Sequence, residues 1–345
     1  MPELTEADLK LKIKSAPVGA YLLCGDEDYL IKVYTDKLIK TCVDESFYDF
    51  NLHVFDKEGK DDKDLSEIYE NAMAVPMMAE SKCVLVKNYP VEDLDEGDLN
   101  ALRELLTDNP EDNCLIFSYP SSQPKAKDLA PVVKLFSEFG YVVKLNRKTA
   151  SEISAILERG AVKRGKKFDK GVANYLINSV GNDLNLLNNE LEKVCAYGGD
   201  VITKSDVDAV CIKSVETKVY DMINELTSGN FDKAFRLLSA LFAQREDEYM
   251  ILGAINSQYA DIYRAKAARK ADKTFGELIA GYPAYKGKEW RLDKMNKFAG
   301  SLSFEQLARI FEILADADTA LKSTSRDKKQ VLEQTLVLLS RASGR

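Results

Sequence analysis

The chain has 345 residues, 45% of them hydrophobic and 30% charged, with 48 Lys+Arg against 56 Asp+Glu and a formal net charge of −8. That length accommodates two or three domains, and the composition is that of a globular protein, which excludes disordered and fibrous classes. No apolar run approaches the ~18 residues needed to cross a bilayer, and the opening Met-Pro-Glu-Leu-Thr-Glu is acidic where a signal peptide is basic, so no membrane partner and a cytoplasmic location are expected.

The first strand candidate, Tyr21 to Cys24, runs through Gly25 into a helix that carries Leu30, Val33, Tyr34 and Leu38 at helical spacing. Strand, glycine turn and helix together form the scaffold of a phosphate loop, G-x-x-x-x-G-K-[ST], but the lysine and the hydroxyl are missing. Asp26, Glu27 and Asp28 stand where a triphosphate would sit, and like charge repels that ligand. The segment therefore reads as an ATPase frame that binds no nucleotide. The alternative is an unrelated parallel-sheet domain that never had a phosphate loop.

Four more strand candidates follow, at Asn51 to Phe55, Cys83 to Val86, Cys114 to Phe117 and Tyr141 to Leu145. Helical spacing appears between them, in Leu65 to Ala74, in Leu99, Leu102, Leu105 and Leu106, and in Val132, Val133 and Phe136. Five strands with intervening helices predict a mainly parallel sheet covered on both faces. The third strand ends Val84-Leu-Val-Lys87-Asn88, where a phosphate-loop enzyme places the carboxylates that organise Mg²⁺ and the attacking water. A lysine and an amide cannot replace two carboxylates, so hydrolysis is not expected.

Between the helix ending at Ala74 and the strand beginning at Cys83 lie four consecutive non-polar residues, Val75, Pro76, Met77 and Met78. Pro76 blocks helical continuation through its ring and its missing donor. An apolar loop end of this kind either presents a docking tip or folds back onto the sheet domain's core.

Near residue 146 the strand signal disappears. Thr149-Ala-Ser-Glu152 and Thr203-Lys-Ser-Asp206 are helix-start boxes, Gly160 and Gly181 punctuate, and Asn182 to Tyr197 carries Leu184, Leu187, Leu191 and Val194 on one face. The basic stretch Gly160-Ala-Val-Lys-Arg-Gly-Lys-Lys167 reads as a solvated helix end. From about Lys213 the helices lengthen, over Val219 to Thr227, Phe231 to Phe242, Tyr249 to Arg269, Phe304 to Leu321 and Lys328 to Ser340. Tyr285, Lys286, Lys288, Trp290 and Arg291 interleave rings with cations, a pattern that suits either stacking on a nucleic acid or interhelical packing.

Residues 1–211 hold 26 Lys+Arg against 38 Asp+Glu, while residues 212–345 hold 22 against 18. So acidic a chain is a poor free-standing DNA binder, because phosphate neutralisation supplies most non-specific affinity. The six cysteines are scattered singly, and His53 is the one histidine. That excludes a recognisable zinc site and any Cys/His or Ser/His/Asp arrangement with more than one candidate base. No catalytic residue, metal or cofactor is assigned.

Several blocks in order resemble one family, the delta subunit of the bacterial DNA polymerase III clamp loader, over nearly the whole sequence. They are Tyr21-Leu-Leu-Cys-Gly-Asp-Glu-Asp-Tyr-Leu-Ile31, Ala72-Met-Ala-Val-Pro-Met-Met78 with Lys82-Cys-Val-Leu-Val-Lys-Asn88, Gly181-Asn-Asp-Leu-Asn-Leu-Leu-Asn-Asn-Glu-Leu-Glu-Lys193 with Tyr197-Gly-Gly and Ile202-Thr203, and Asp316-Ala-Asp-Thr-Ala-Leu-Lys-Ser323. The resemblance implies an α/β AAA+-like parallel-sheet domain without nucleotide (1–145), a small helical lid domain (146–211) and a helical collar domain (212–345) that joins a heteropentamer. It also implies the partners: the ring-shaped sliding clamp (beta subunit), the gamma/tau and delta prime subunits, and primer-template DNA in the assembled complex. The subunit would be non-catalytic within a DNA-directed DNA polymerase holoenzyme, opening or holding open the clamp while its neighbours hydrolyse ATP. Val75, Pro76, Met77 and Met78 would be the clamp-binding element, with methionines where the family usually has a leucine and a phenylalanine. Tyr285, Lys286, Lys288, Trp290 and Arg291 would face the DNA. An active AAA+ ATPase and a helical scaffold unrelated to replication are the competing functions.

Overall fold

The computed structural model describes residues 3–15, 17–58, 62–120, 126–274, 276–277, 281–282, 295–296, 298–323 and 326–344. The chain divides into two compact units, Met1–Arg147 and Lys148–Arg345.

The first unit is built on five parallel strands: β1 (Gly19–Cys24), β2 (Leu52–Asp56), β3 (Lys82–Lys87), β4 (Asn113–Ser118) and β5 (Tyr141–Lys144), in the spatial order β2-β3-β4-β1-β5. The helices are α1 (Glu6–Ser15), α2 (Asp28–Cys42), α3 (Tyr48–Asn51), α4 (Ser66–Met73), α5 (Glu96–Asp108) and α6 (Ala126–Phe139). Strands β1, β3 and β4 are buried along nearly their whole length, which is why each reads as an unbroken apolar run rather than an alternating one. One face, with Leu22, Val84, Val86, Leu115 and Phe117, packs on Leu102, Leu105 and Phe136 of α5 and α6. The opposite face is covered by α1 and α2, which bring Leu9, Leu30, Tyr34 and Leu38 into full burial. All five sequence-level strands are present, with ends shifted by one or two residues.

One shift has consequences. Asn51, expected to open the second strand, instead ends the single turn α3, and β2 starts at Leu52. Its side chain is thereby free of the sheet's in-and-out alternation and turns toward another loop, as shown below.

In the second unit, α7 (Ala150–Lys163), α8 (Val172–Val180), α9 (Leu184–Tyr197) and α10 (Lys204–Val210) precede the longer α11 (Val215–Thr227), α12 (Phe231–Ala243), α13 (Glu248–Lys270), α14 (Phe304–Ser323) and α15 (Lys328–Ala342). Thr149 and Thr203 cap α7 and α10 with reciprocal boxes to Glu152 and Asp206. The expectation of purely helical structure after residue 146 needs a correction, because β6 (Lys167–Phe168) and β7 (Val201–Ile202) form a small parallel pair. Two-residue strands are too short to leave a period-2 signature. The basic stretch after Gly160 is a helix end: Arg164 donates to Gly160 O at 3.1 Å and pairs with Glu192 at 2.8 Å. Helices α11 to α15 share a core of Met222, Leu226, Leu238, Ile255, Leu307 and Leu336.

Candidate partner-binding site

At the glycine turn after β1, Gly25 has φ +138°, a region that side-chain-bearing residues rarely enter. A Cβ built on it would stand 2.2 Å from Leu145 O. Leu145, just past β5, donates its N–H to Cys24 O at 2.7 Å and accepts from Glu27 N–H at 3.0 Å. In a phosphate loop such amides point at the anion; here the Glu27 amide is taken by the chain itself. Glu27 occupies the N-cap position of α2 without a side-chain capping bond, Asp28 lies in the first turn, and Asp26 is exposed. The carboxylates therefore supply the negative charge that the helix N-terminus favours. At the end of β3, Asn88 sits in the left-handed region with φ +54°, and its amide donates to Asp56 at 3.0 Å. Among the described residues no group of three or more His, Cys, Asp or Glu could hold a metal ion, and no helix is long and apolar enough to cross a membrane.

The second feature lies at the far end of α4. The helix stops at Met73, Ala74 is extended, and Val75, Met77 and Met78 are 83%, 55% and 86% exposed, with Pro76 half-buried. Both methionines thus stand outside the core. Met78 has φ +52°, a conformation costing a non-glycine residue about 1–2 kcal/mol. Such strain persists only where the surroundings fix the backbone.

Three buried or half-buried groups do that fixing. Asn51, with no solvent exposure, donates from Nδ2 to Met77 O at 2.9 Å, and its Oδ1 accepts from Met77 N–H at 2.7 Å. This closes a two-bond clasp on one residue, engaging both of the peptide units that flank its Cα. Lys82 at the start of β3 is 1% exposed, and its ammonium donates to Asn71 O at 2.6 Å and to Ala74 O. These carbonyls end α4 without intrahelical partners and carry the negative end of its dipole, where a cation is favoured. Burial holds the Lys82 pKa below the usual lysine value, with Asp112 opposing the shift. Ser81 Oγ donates to Cys42 O and ties down the loop's return.

The sequence located the tip but not its supports. Asn51 reads in the sequence as the first residue of the second strand candidate, and Lys82 as the residue just before the third. A lysine adjoining an unbroken apolar strand was the available signal, since a buried cation needs partners nearby. Tyr285, Lys286, Lys288, Trp290 and Arg291 lie outside the described residues. Lys322 of the last resemblance block pairs with Asp318 at 2.8 Å.

The comparisons with known proteins agree along the chain. The family described as DNA polymerase III, delta subunit matches residues 21–146, the C-terminal domain of that subunit matches residues 216–339, and a middle domain matches residues 149–209. DNA polymerase III subunit delta of Bacillus subtilis is 25% identical over 328 residues, covering 92% of each chain. The probable DNA polymerase III subunit delta of Aquifex aeolicus is 21% identical over 325 residues, covering 92% of this chain and 89% of its own. The solved structure of the Bacillus subtilis DNA clamp loader delta protein has the same fold, with a TM-score of 0.66 at 23% identity over 97% of this chain and 99% of its own.

Proposed function

We propose a mechanical role for this chain, which belongs to the family of DNA polymerase III delta subunits: it grips the sliding clamp through Val75–Met78 and opens or holds open one interface of the ring during loading onto primed DNA. The observation that carries this role is the exposed apolar tip, since Val75, Met77 and Met78 face water from a backbone held by buried polar groups. A folded protein keeps such residues exposed where a partner covers them. Methionine is unbranched and polarizable, so it adapts to a pocket shaped for other apolar side chains.

The chain acts without hydrolysing ATP. It lacks the phosphate-loop lysine, Leu145 lies against Gly25 where phosphates would lie, and β3 ends in Lys87 and Asn88. Nucleotide chemistry then belongs to neighbouring subunits, with gamma/tau and delta prime subunits completing a pentamer around primer-template DNA. In this assignment residues 1–145 are the clamp-facing frame, 146–211 a lid domain and 212–345 the collar, whose net positive charge suits it to lie nearer DNA than the acidic front.

Two equilibrium measurements test the role. The full-length chain is titrated with purified sliding clamp and, separately, with labelled ATP and Mg²⁺. Saturable binding to the clamp together with no ATP binding is the expected outcome. ATP binding, or a clamp that is not bound, would overturn the assignment.

A further inference from the structure

Resting on the clamp-binding role just proposed, we infer that Asn51 and Lys82 are positioning residues for the clamp contact: they hold Ala74 to Met78 in the shape that meets the clamp, although neither reaches it. The clasp from Asn51 engages both the N–H and the carbonyl of Met77, at 2.7 and 2.9 Å, so it fixes the orientation of the two peptide units that flank Met77 in the tip. Lys82 grips the loop at its other end, where the ammonium joins Asn71 O and Ala74 O and sets the point at which α4 stops. Both groups come from outside the loop, Asn51 from α3 and Lys82 from β3, and both are almost wholly buried.

Burial of two polar side chains beneath an exposed apolar loop calls for an explanation. Deleting either group would leave part-buried backbone groups without these partners, and an apolar side chain at the same position could hold the loop close but could not pair with them. What hydrogen bonds add is direction: they specify the backbone geometry, including the left-handed Met78, rather than mere proximity.

The test uses the full-length chain, with N51A, N51D, K82M and the double variant M77A/M78A compared by surface plasmon resonance against purified sliding clamp. Amide exchange of residues 74–79 and thermal unfolding are followed in parallel. N51A is expected to weaken clamp binding by about ten-fold or more through lost preorganisation, with faster exchange at Met77 and both methionines still in place. N51D keeps the acceptor for the Met77 N–H but sets a buried carboxylate oxygen against Met77 O, so it should weaken binding at least as much as N51A. K82M serves as the readout if the Asn51 variants fail to fold. K82M should weaken binding and deprotect the end of α4. Affinity within about two-fold of native in a variant whose Met77 amide has lost protection overturns the positioning role. Native-level binding by M77A/M78A would instead sink the clamp role of the tip, so the two failures are told apart.

Discussion

Replacing Met78 by glycine should move stability and clamp affinity in opposite directions. Met78 holds φ +52°, and the left-handed backbone costs a side-chain-bearing residue about 1–2 kcal/mol that glycine does not bear. The side chain is 86% exposed, so its removal withdraws almost nothing from the core. Met78→Gly is therefore expected to leave folding stability unchanged or to raise it by up to about 1 kcal/mol, after the entropy of the more flexible unfolded glycine is subtracted. For binding, fully burying a methionine is worth about 1.5–3 kcal/mol. Scaled by the exposures of 86% and 55%, Met78 and Met77 together offer about 2–4 kcal/mol. The double alanine variant keeps its β-carbons and should lose about 2–3 kcal/mol, or about 30- to 150-fold in clamp affinity. Met78 alone should account for the larger share. Urea unfolding and plasmon resonance on the same samples provide the two readouts. A fall in stability of about 2 kcal/mol or more in M78G would mean that the side chain packs inside, and clamp affinity within about three-fold of native in the double variant would remove the tip from the interface.

Two further outcomes follow from the geometry. Gly25→Ala drives a Cβ to 2.2 Å from Leu145 O at φ +138° and is expected to destabilise the sheet unit by about 3 kcal/mol or more, lowering its thermal midpoint by about 6–12 °C; a midpoint within about a degree of native would show that Leu145 does not close the turn. In the α7 cap, the Thr149 backbone N–H and hydroxyl hold the Glu152 carboxyl below its ordinary value of 4.5. A carboxyl with a lowered folded pKa contributes stability above its unfolded value and loses it as pH falls through the folded one. Glu152→Ala should thus cost about 0.3–1 kcal/mol at neutral pH, with the gap closing below about pH 4 in parallel urea titrations; a gap that widens in acid would refute this account.

The sheet was legible because its strands are covered on both faces: unbroken apolar runs such as Val84-Leu-Val86 have no other common explanation once glycine and polar segments bound them. Capping boxes at Thr149 and Thr203 were legible because their chemistry is local. The clasp under the tip was not. Asn51 and Met77 are separated by 26 positions, and Lys82 reaches back 11 positions to Asn71, so nothing in local spacing links them. Composition misleads here as well, since asparagine and lysine are ordinarily surface residues. At Gly25 the absence of the lysine is visible in the sequence, but the close contact that Leu145 makes there comes from the opposite end of the unit and carries no motif.

On the clamp role proposed above, magnitudes explain why the tip needs anchoring. Ordering the backbone of a free loop costs about 1–2 kcal/mol per residue, so five residues from Ala74 to Met78 would cost about 5–10 kcal/mol if the clamp had to impose their shape. The two methionines supply only about 2–4 kcal/mol of burial, and Val75, at 83% exposure, adds about 1–2 kcal/mol. A disordered tip would therefore bind weakly or not at all, while the same side chains on a backbone fixed during folding keep most of their burial energy for the partner. On the positioning role inferred above, the buried pair Asn51 and Lys82 shifts the ordering cost onto folding of the sheet unit, where cooperative burial of the core absorbs it. By this reasoning a substitution at Asn51 should act mainly on the rate of clamp association, because the native-like loop becomes a minor conformer, with a smaller effect on dissociation of the complex once formed. Equal association rates for N51A and the native chain, with the whole loss in dissociation, would show that the loop finds its bound shape without the clasp.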